Sequence, residues 1–192
     1  MTRMKLIPTR FDSVWIIAPR VFQDARGWFL ESWNRRAFAL AGIPVDFVQD
    51  NHSLSRRNVL RGLHFQSPPR AQAKLVRCVA GKIWDVVADI RRGSPTYGQW
   101  EGIELDAETQ RLVFVPIGFA HGFCALSETA EVHYKCSDYY APEHSCGVRW
   151  DDPAIGVAWP VREPLLSEQD RRHPLLADLP PYFSARAGEA AP

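Results

Sequence analysis

Two histidines interrupt apolar, strand-like runs. His64 lies in Val59-Leu60-Arg61-Gly62-Leu63-His64-Phe65-Gln66, and His121 in Pro116-Ile117-Gly118-Phe119-Ala120-His121-Gly122-Phe123. A buried imidazole is costly unless it is hydrogen-bonded or working, because burial disfavours its charged form. Two of them on apolar strands point to a polar site inside a β-barrel and to acid–base chemistry on a bound ligand. Taken alone, His64 suits a satisfied core histidine as well as a base. Tyr134 suits core packing with its hydroxyl tied off, or an acid opposite an imidazole. Arg26, Arg61 and Lys74 sit in or beside apolar segments, where an unpaired charge is expensive. Ion pairs with Glu31, Asp85 or Asp89 would satisfy any one of them, whereas all three near a histidine suit an anionic ligand.

The elements that must position these groups read as strands. Apolar runs at 14–17, 28–33, 47–52, 59–66, 74–79, 83–90, 99–105, 111–115, 122–126 and 132–139 are separated by turn clusters such as Arg92-Gly93-Ser94-Pro95. Gly81-Lys82 reads as a tight hairpin connection between two of them. Short helices are expected at 35–40 and near 168–172. Many short strands with little helix predict an all-β antiparallel barrel or jelly roll with a few short peripheral helices. The 192 residues suit one domain, spanning 1–183, followed by a disordered tail at 184–192. Alternate strand residues share a face, so His64 and Gln66 look into the barrel together. Arg61 falls on the other face unless Gly62 marks a bulge. By the same alternation Tyr134, Cys136, Asp138 and Tyr140 share a face.

Several classes are excluded. The formal net charge of +1 gives no field favouring nucleic acid. Cys78, Cys124, Cys136 and Cys146 have neither metal-type nor redox-type spacing and read as reduced thiols of a cytoplasmic protein. The N-terminus lacks the apolar core of a signal peptide, and no apolar run approaches membrane-spanning length. Phosphate loops, dinucleotide-binding glycine patterns and nucleophile motifs are absent from the sequence. Pro116-x-Gly118-x-x-His121 is a cupin signature in which the histidine often binds metal. The earlier strand offers His64 alone, followed by Phe65 and Gln66, so the three-ligand set of a metal site is not supplied. What remains is proton transfer without a metal or cofactor.

Longer segments are more specific. Phe22-Gln23-Asp24-Ala25-Arg26-Gly27, Phe47-Val48-Gln49-Asp50-Asn51-His52-Ser53 and the two histidine runs stand in order with Lys74-Leu75-Val76-Arg77, Trp84-Asp85-Val86-Val87-Ala88-Asp89-Ile90-Arg91 and Tyr134-Lys135-Cys136-Ser137-Asp138-Tyr139-Tyr140-Ala141-Pro142-Glu143. Through these, residues 16–176 resemble the dTDP-4-dehydrorhamnose 3,5-epimerase family of metal-free cupins. The resemblance implies epimerisation of a dTDP-4-keto-6-deoxyhexose at C3 and C5 through an enolate. It implies His64 as base, Asp170 as its paired carboxylate, Tyr134 as acid and Lys74 as stabiliser of the enolate oxygen. It places Arg26, Glu31, Gln49, Asp50, Asn51, Arg61, Lys74 and His121 among the nucleotide-sugar contacts, with Tyr140 stacked on thymine and Glu143 nearby. It also implies a homodimer with exchanged N-terminal strands. Gln169 and Ala73 depart from the family's usual lysine and glycine and put one substrate contact and a loop position in question. Competing readings are an enzyme inverting C3 or C5 alone, a metal-dependent cupin, and a non-catalytic sugar-binding cupin.

Overall fold

The structure, a computed structural model, describes residues 4–185. The chain runs through β1 (Met4–Pro8), β2 (Trp15–Pro19), β3 (Val21–Asp24), β4 (Gly27–Leu30) and helix α1 (Arg35–Leu40). It continues through β5 (Gln49–Arg56), β6 (Leu60–Gln66), β7 (Lys74–Ala80), β8 (Lys82–Asp89) and β9 (Trp100–Asp106). After β10 (Leu112–Val115), β11 (Phe119–Ala125), β12 (Thr129–Cys136) and β13 (Ser145–Gly147) comes helix α2 (Glu168–Arg172). Both helices stand where they are expected, and each has a side-chain cap: Asn34 accepts from the Ala37 N–H, and Ser167 from the Asp170 N–H.

Among the described residues the strands form a six-stranded antiparallel sheet, β1-β2-β10-β7-β12-β5, and a five-stranded one, β13-β6-β11-β8-β9. A separate ribbon pairs β3 with β4. One apolar cluster lies between the two sheets, built from Val76, Val113 and Val132 on one side and Val87, Phe119 and Phe123 on the other. The residues alternating with these make the outer clusters. Leu63, Phe65, Val86 and Ala120 are covered by the C-terminal segment through Val148, Leu176 and Leu179. Leu75, Leu112 and Phe114 are covered by α1 through Phe38. The all-β jelly-roll expectation therefore holds.

Three local expectations fail. Gly81 does not close a hairpin, since β7 and β8 belong to different sheets. Its φ of +73° and the Thr129 carbonyl 2.2 Å from where a Cβ would sit leave only glycine for a turn that crosses from one layer to the other. β12 ends at Cys136, so the alternation does not extend to Asp138 and Tyr140. The tail does not begin at 184: Ser184 bridges to Arg92, and the Ala185 N–H donates to the Arg92 carbonyl at 2.9 Å. The rest of that expected segment, 186–192, lies outside the described residues.

Candidate active site

Gly62 does mark a bulge. β6 and β11 pair His64 with His121 and Arg61 with Phe123, so Gly62 and Leu63 together oppose Gly122 alone. The extra residue turns Leu63 and Phe65 into the outer cluster and brings Arg61 and His64 onto the inner face. The close approach explains the glycine: at φ +144° a Cβ on Gly62 would lie 2.5 Å from the Gly122 Cα.

His64 is half-exposed, while its partner Asp170 is only 3% exposed. Asp170 Oδ1 accepts from His64 Nε2, and Oδ2 accepts from the Ser167 hydroxyl at 2.6 Å. Burial alone would raise the Asp170 carboxyl. Hydrogen bonds from His64, Ser167 and the Gly62 N–H outweigh it and hold the group below the ordinary carboxylate range. An imidazole that donates from Nε2 keeps its lone pair on Nδ1, which is the arrangement of an oriented base.

The opposite sheet faces this pair with Tyr134 and Lys74. Burial holds the Tyr134 phenol above its usual range, so it is protonated at neutral pH and can donate. Lys74 Nζ spans the layers and donates to the His64 carbonyl at 3.3 Å. Burial lowers its ammonium below the ordinary value, and Cys136 and Asp85 push the other way. Asn51 is the register partner of Tyr134, and Gln49 Nε2 donates to Asn51 Oδ1 at 3.1 Å, which keeps both amides on this face. His121 is buried at the floor, its Nε2 2.8 Å from Asp85 Oδ2.

Gln66 faces inward with His64, as the alternation predicts, but it positions the main chain rather than a ligand. Its amide donates to the Arg70 and Tyr139 carbonyls at 2.6 and 3.2 Å and accepts from the Ala141 N–H at 2.9 Å. Those last two bonds bracket Tyr140, whose own N–H donates to Gln49 Oε1 at 2.8 Å. The Tyr140 ring, 61% exposed, is thus presented on a pinned backbone at the rim, with Glu143 just beyond in a 3₁₀ turn. Gln66 is thus committed to the main chain, and His121 to Asp85.

Not every expected residue joins the cluster. Asp50 points to the outer face of β5, where Lys135 Nζ meets it at 2.8 Å, because alternation puts it opposite Gln49 and Asn51. Arg26 pairs with Asp24 at 2.6 Å at the tip of the β3–β4 ribbon. Glu31, which accepts from Asn34 at 3.1 Å, follows that ribbon. Arg61 is satisfied by the Ser55 hydroxyl at 3.0 Å and the Leu54 carbonyl at 3.3 Å. The carboxylates expected as cation partners go elsewhere: Asp85 to His121, and Asp89 to Arg91 at 2.7 Å. Sequence reasoning missed Asp85 as the partner of His121, and missed His173, whose ring stands edge-on to His64 at 5.4 Å between centroids. Ser167 was legible, since Ser167-x-x-Asp170 before a short helix has capping-box spacing.

An imidazole held by a buried carboxylate, with a phenol and a lysine facing it, is an arrangement that can move protons. A family model described as dTDP-4-dehydrorhamnose 3,5-epimerase matches residues 8–178. A Pseudomonas aeruginosa dTDP-4-dehydrorhamnose 3,5-epimerase is 53% identical over 177 residues, 91% of this chain and 97% of the relative. A Streptomyces niveus dTDP-4-dehydrorhamnose 3-epimerase is 44% identical over 191 residues, 96% of this chain and 92% of the relative. A Legionella pneumophila dTDP-6-deoxy-D-glucose-3,5-epimerase, solved with dTDP-4-keto-L-rhamnose, superposes with a TM-score of 0.91 at 44% identity, covering 96% of this chain and all of that one. On its matched length and on the site it builds, the chain belongs to the dTDP-4-dehydrorhamnose 3,5-epimerase family.

Proposed function

We propose that the protein epimerises dTDP-4-dehydro-6-deoxy-D-glucose at C3 and C5 to dTDP-4-dehydro-L-rhamnose, a step of dTDP-L-rhamnose biosynthesis for envelope polysaccharide. The observation that carries the reading is the His64–Asp170 pair on one layer with Tyr134 and Lys74 on the other. The 4-ketone acidifies the hydrogens on C3 and C5. His64 Nδ1 takes one of them; the C–H electron pair forms the ring C=C bond, and the carbonyl π pair moves onto oxygen. The Lys74 ammonium stabilises that enolate oxygen, where charge develops. The Tyr134 hydroxyl returns a proton to the opposite face, the carbonyl re-forms, and solvent resets both side chains. Repetition at the second carbon completes the reaction, and none of these steps needs a cofactor.

In the same reading Arg61, Gln49, Asn51 and His121 hold the nucleotide sugar, and Tyr140 stacks on thymine with Glu143 beside it. Arg26 and Glu31 reach a site by strand exchange within a homodimer. The ribbon bearing Arg26 leaves the cross-strand partners Phe22 and Phe29 50% and 68% exposed on one face and Trp28 55% exposed on the other, apolar surface that supports pairing with a second copy. A nucleotide-linked substrate and free cysteines suit the cytoplasm, and no described helix is long and apolar enough to cross a membrane.

The test is NMR of dTDP-4-keto-6-deoxyglucose incubated with the protein in D₂O. Deuterium at both C3 and C5 is expected. Exchange at one carbon would replace the proposal with a single-centre enzyme like the Streptomyces relative, and exchange at neither would overturn it.

A further inference from the structure

Beside the base sits an imidazole for which the proposed reaction has no use. His173 is buried, its side chain 8% exposed, and its Nε2 has no hydrogen-bond partner. That nitrogen lies 3.9 Å from Asp170 Oδ1, the same oxygen that binds His64 Nε2. Gly147 makes the room. It is the register partner of His64 on β13, and a Cβ there would fall 2.5 Å from His173 Nε2. One donor atom from each of His64, Asp170 and His173 lies within 4.8 Å of the others.

We propose that His64, Asp170 and His173 form a three-donor site for a borderline divalent cation of the Zn²⁺ class, and that filling it switches the base off. Two imidazoles and a carboxylate are a donor set that such a cation prefers, with one position left for water. Bond lengths of about 2.0–2.1 Å put tetrahedral donors about 3.3 Å apart, so closing the site takes on the order of 1 Å of side-chain movement. A cation meets a buried carboxylate, a nitrogen without a partner, and a route in past the half-exposed His64 ring. The consequence follows from the tautomer. A cation on Nε2 displaces the proton shared with Asp170, and the one N–H of the neutral ring then stands on Nδ1, where the reaction needs a lone pair. This second half rests on His64 being the base.

The experiment titrates Zn²⁺ into chelator-treated protein by calorimetry, with Co²⁺ absorption reporting tetrahedral geometry, and follows deuterium exchange into substrate in parallel. One Zn²⁺ per chain is expected, with inhibition over the same concentration range. His173→Asn and His173→Leu (the latter keeping bulk without a donor) should each weaken binding at least about tenfold and relieve inhibition to match. Both should exchange substrate normally without Zn²⁺. Zn²⁺ affinity unchanged in both variants would overturn the site. Zn²⁺ bound through His173 with exchange unaffected would keep the site and overturn His64 as the base.

Discussion

Gly62 and Gly122 touch across β6 and β11 so closely that neither position has room for a Cβ; one on Gly122 would lie 2.7 Å from the Arg61 carbonyl. This contact lets the bulge form, and the bulge aims His64 inward. Gly62→Ala is therefore expected to cost about 1–3 kcal/mol in backbone strain and to lower turnover further by re-aiming the imidazole. Denaturant melts beside steady-state rates would check both effects; wild-type turnover would mean that the bulge does not set the position of His64.

His64→Asn removes the base and keeps the ring's approximate bulk. Turnover should fall by at least ~10²- to 10⁴-fold while the dTDP affinity stays within a few-fold. Substantial residual deuterium exchange would take the role of base away from His64.

Tyr134→Phe deletes only the hydroxyl. Proton removal should persist while inversion slows, again by about 10²- to 10⁴-fold. Products formed at the wild-type rate would assign reprotonation to water or another group.

Tyr140→Ala leaves the pinned backbone and removes the exposed ring. Loss of one base-stacking contact should weaken dTDP binding by roughly 1–3 kcal/mol with little change in the chemical step. An unchanged binding constant would count against stacking.

Asp89 gives a pH prediction. Burial would raise its carboxyl, but hydrogen bonds from Arg91, Ser94 and Thr96 hold it below the unfolded value of 3.8. A depressed folded pKa stabilises the native state above that unfolded value, and the contribution fades as pH falls through the lower folded one. Asp89→Asn should destabilise the protein by about 1–3 kcal/mol at neutral pH. The gap from wild type should close in acid. Thermal melts from pH 7 to pH 2 test this, and a gap that is constant with pH would rule the linkage out.

How much of this was legible depends on how local each cause is. Both helices could be placed because their start and stop signals are local: Gly42 and Pro44 follow the first, and Asn34 and Ser167 cap the two from within the same segments. The sheet partners could not. Gly81 looks like a hairpin turn, and only its clash with Thr129 shows that it crosses layers. Alternation placed His64, Gln66 and Tyr134 correctly and excludes Asp50, which the family resemblance had included. β3 escaped notice because all four of its residues are exposed, leaving no inward-facing pattern to detect. His173 follows no motif; its importance comes from a glycine 26 positions earlier that happens to oppose His64.

The His64–Asp170 bond joins residues 106 positions apart. At ribosomal rates of about 5–20 residues per second, the histidine is made roughly 5–20 s before the carboxylate that orients it. A nascent chain that has already paired β6 with its neighbours still has an unanchored imidazole. The carboxylate that orients the base is thus among the last parts of the site to be made, and a chain cut short before α2 would contain the residues of all thirteen described strands and lack it.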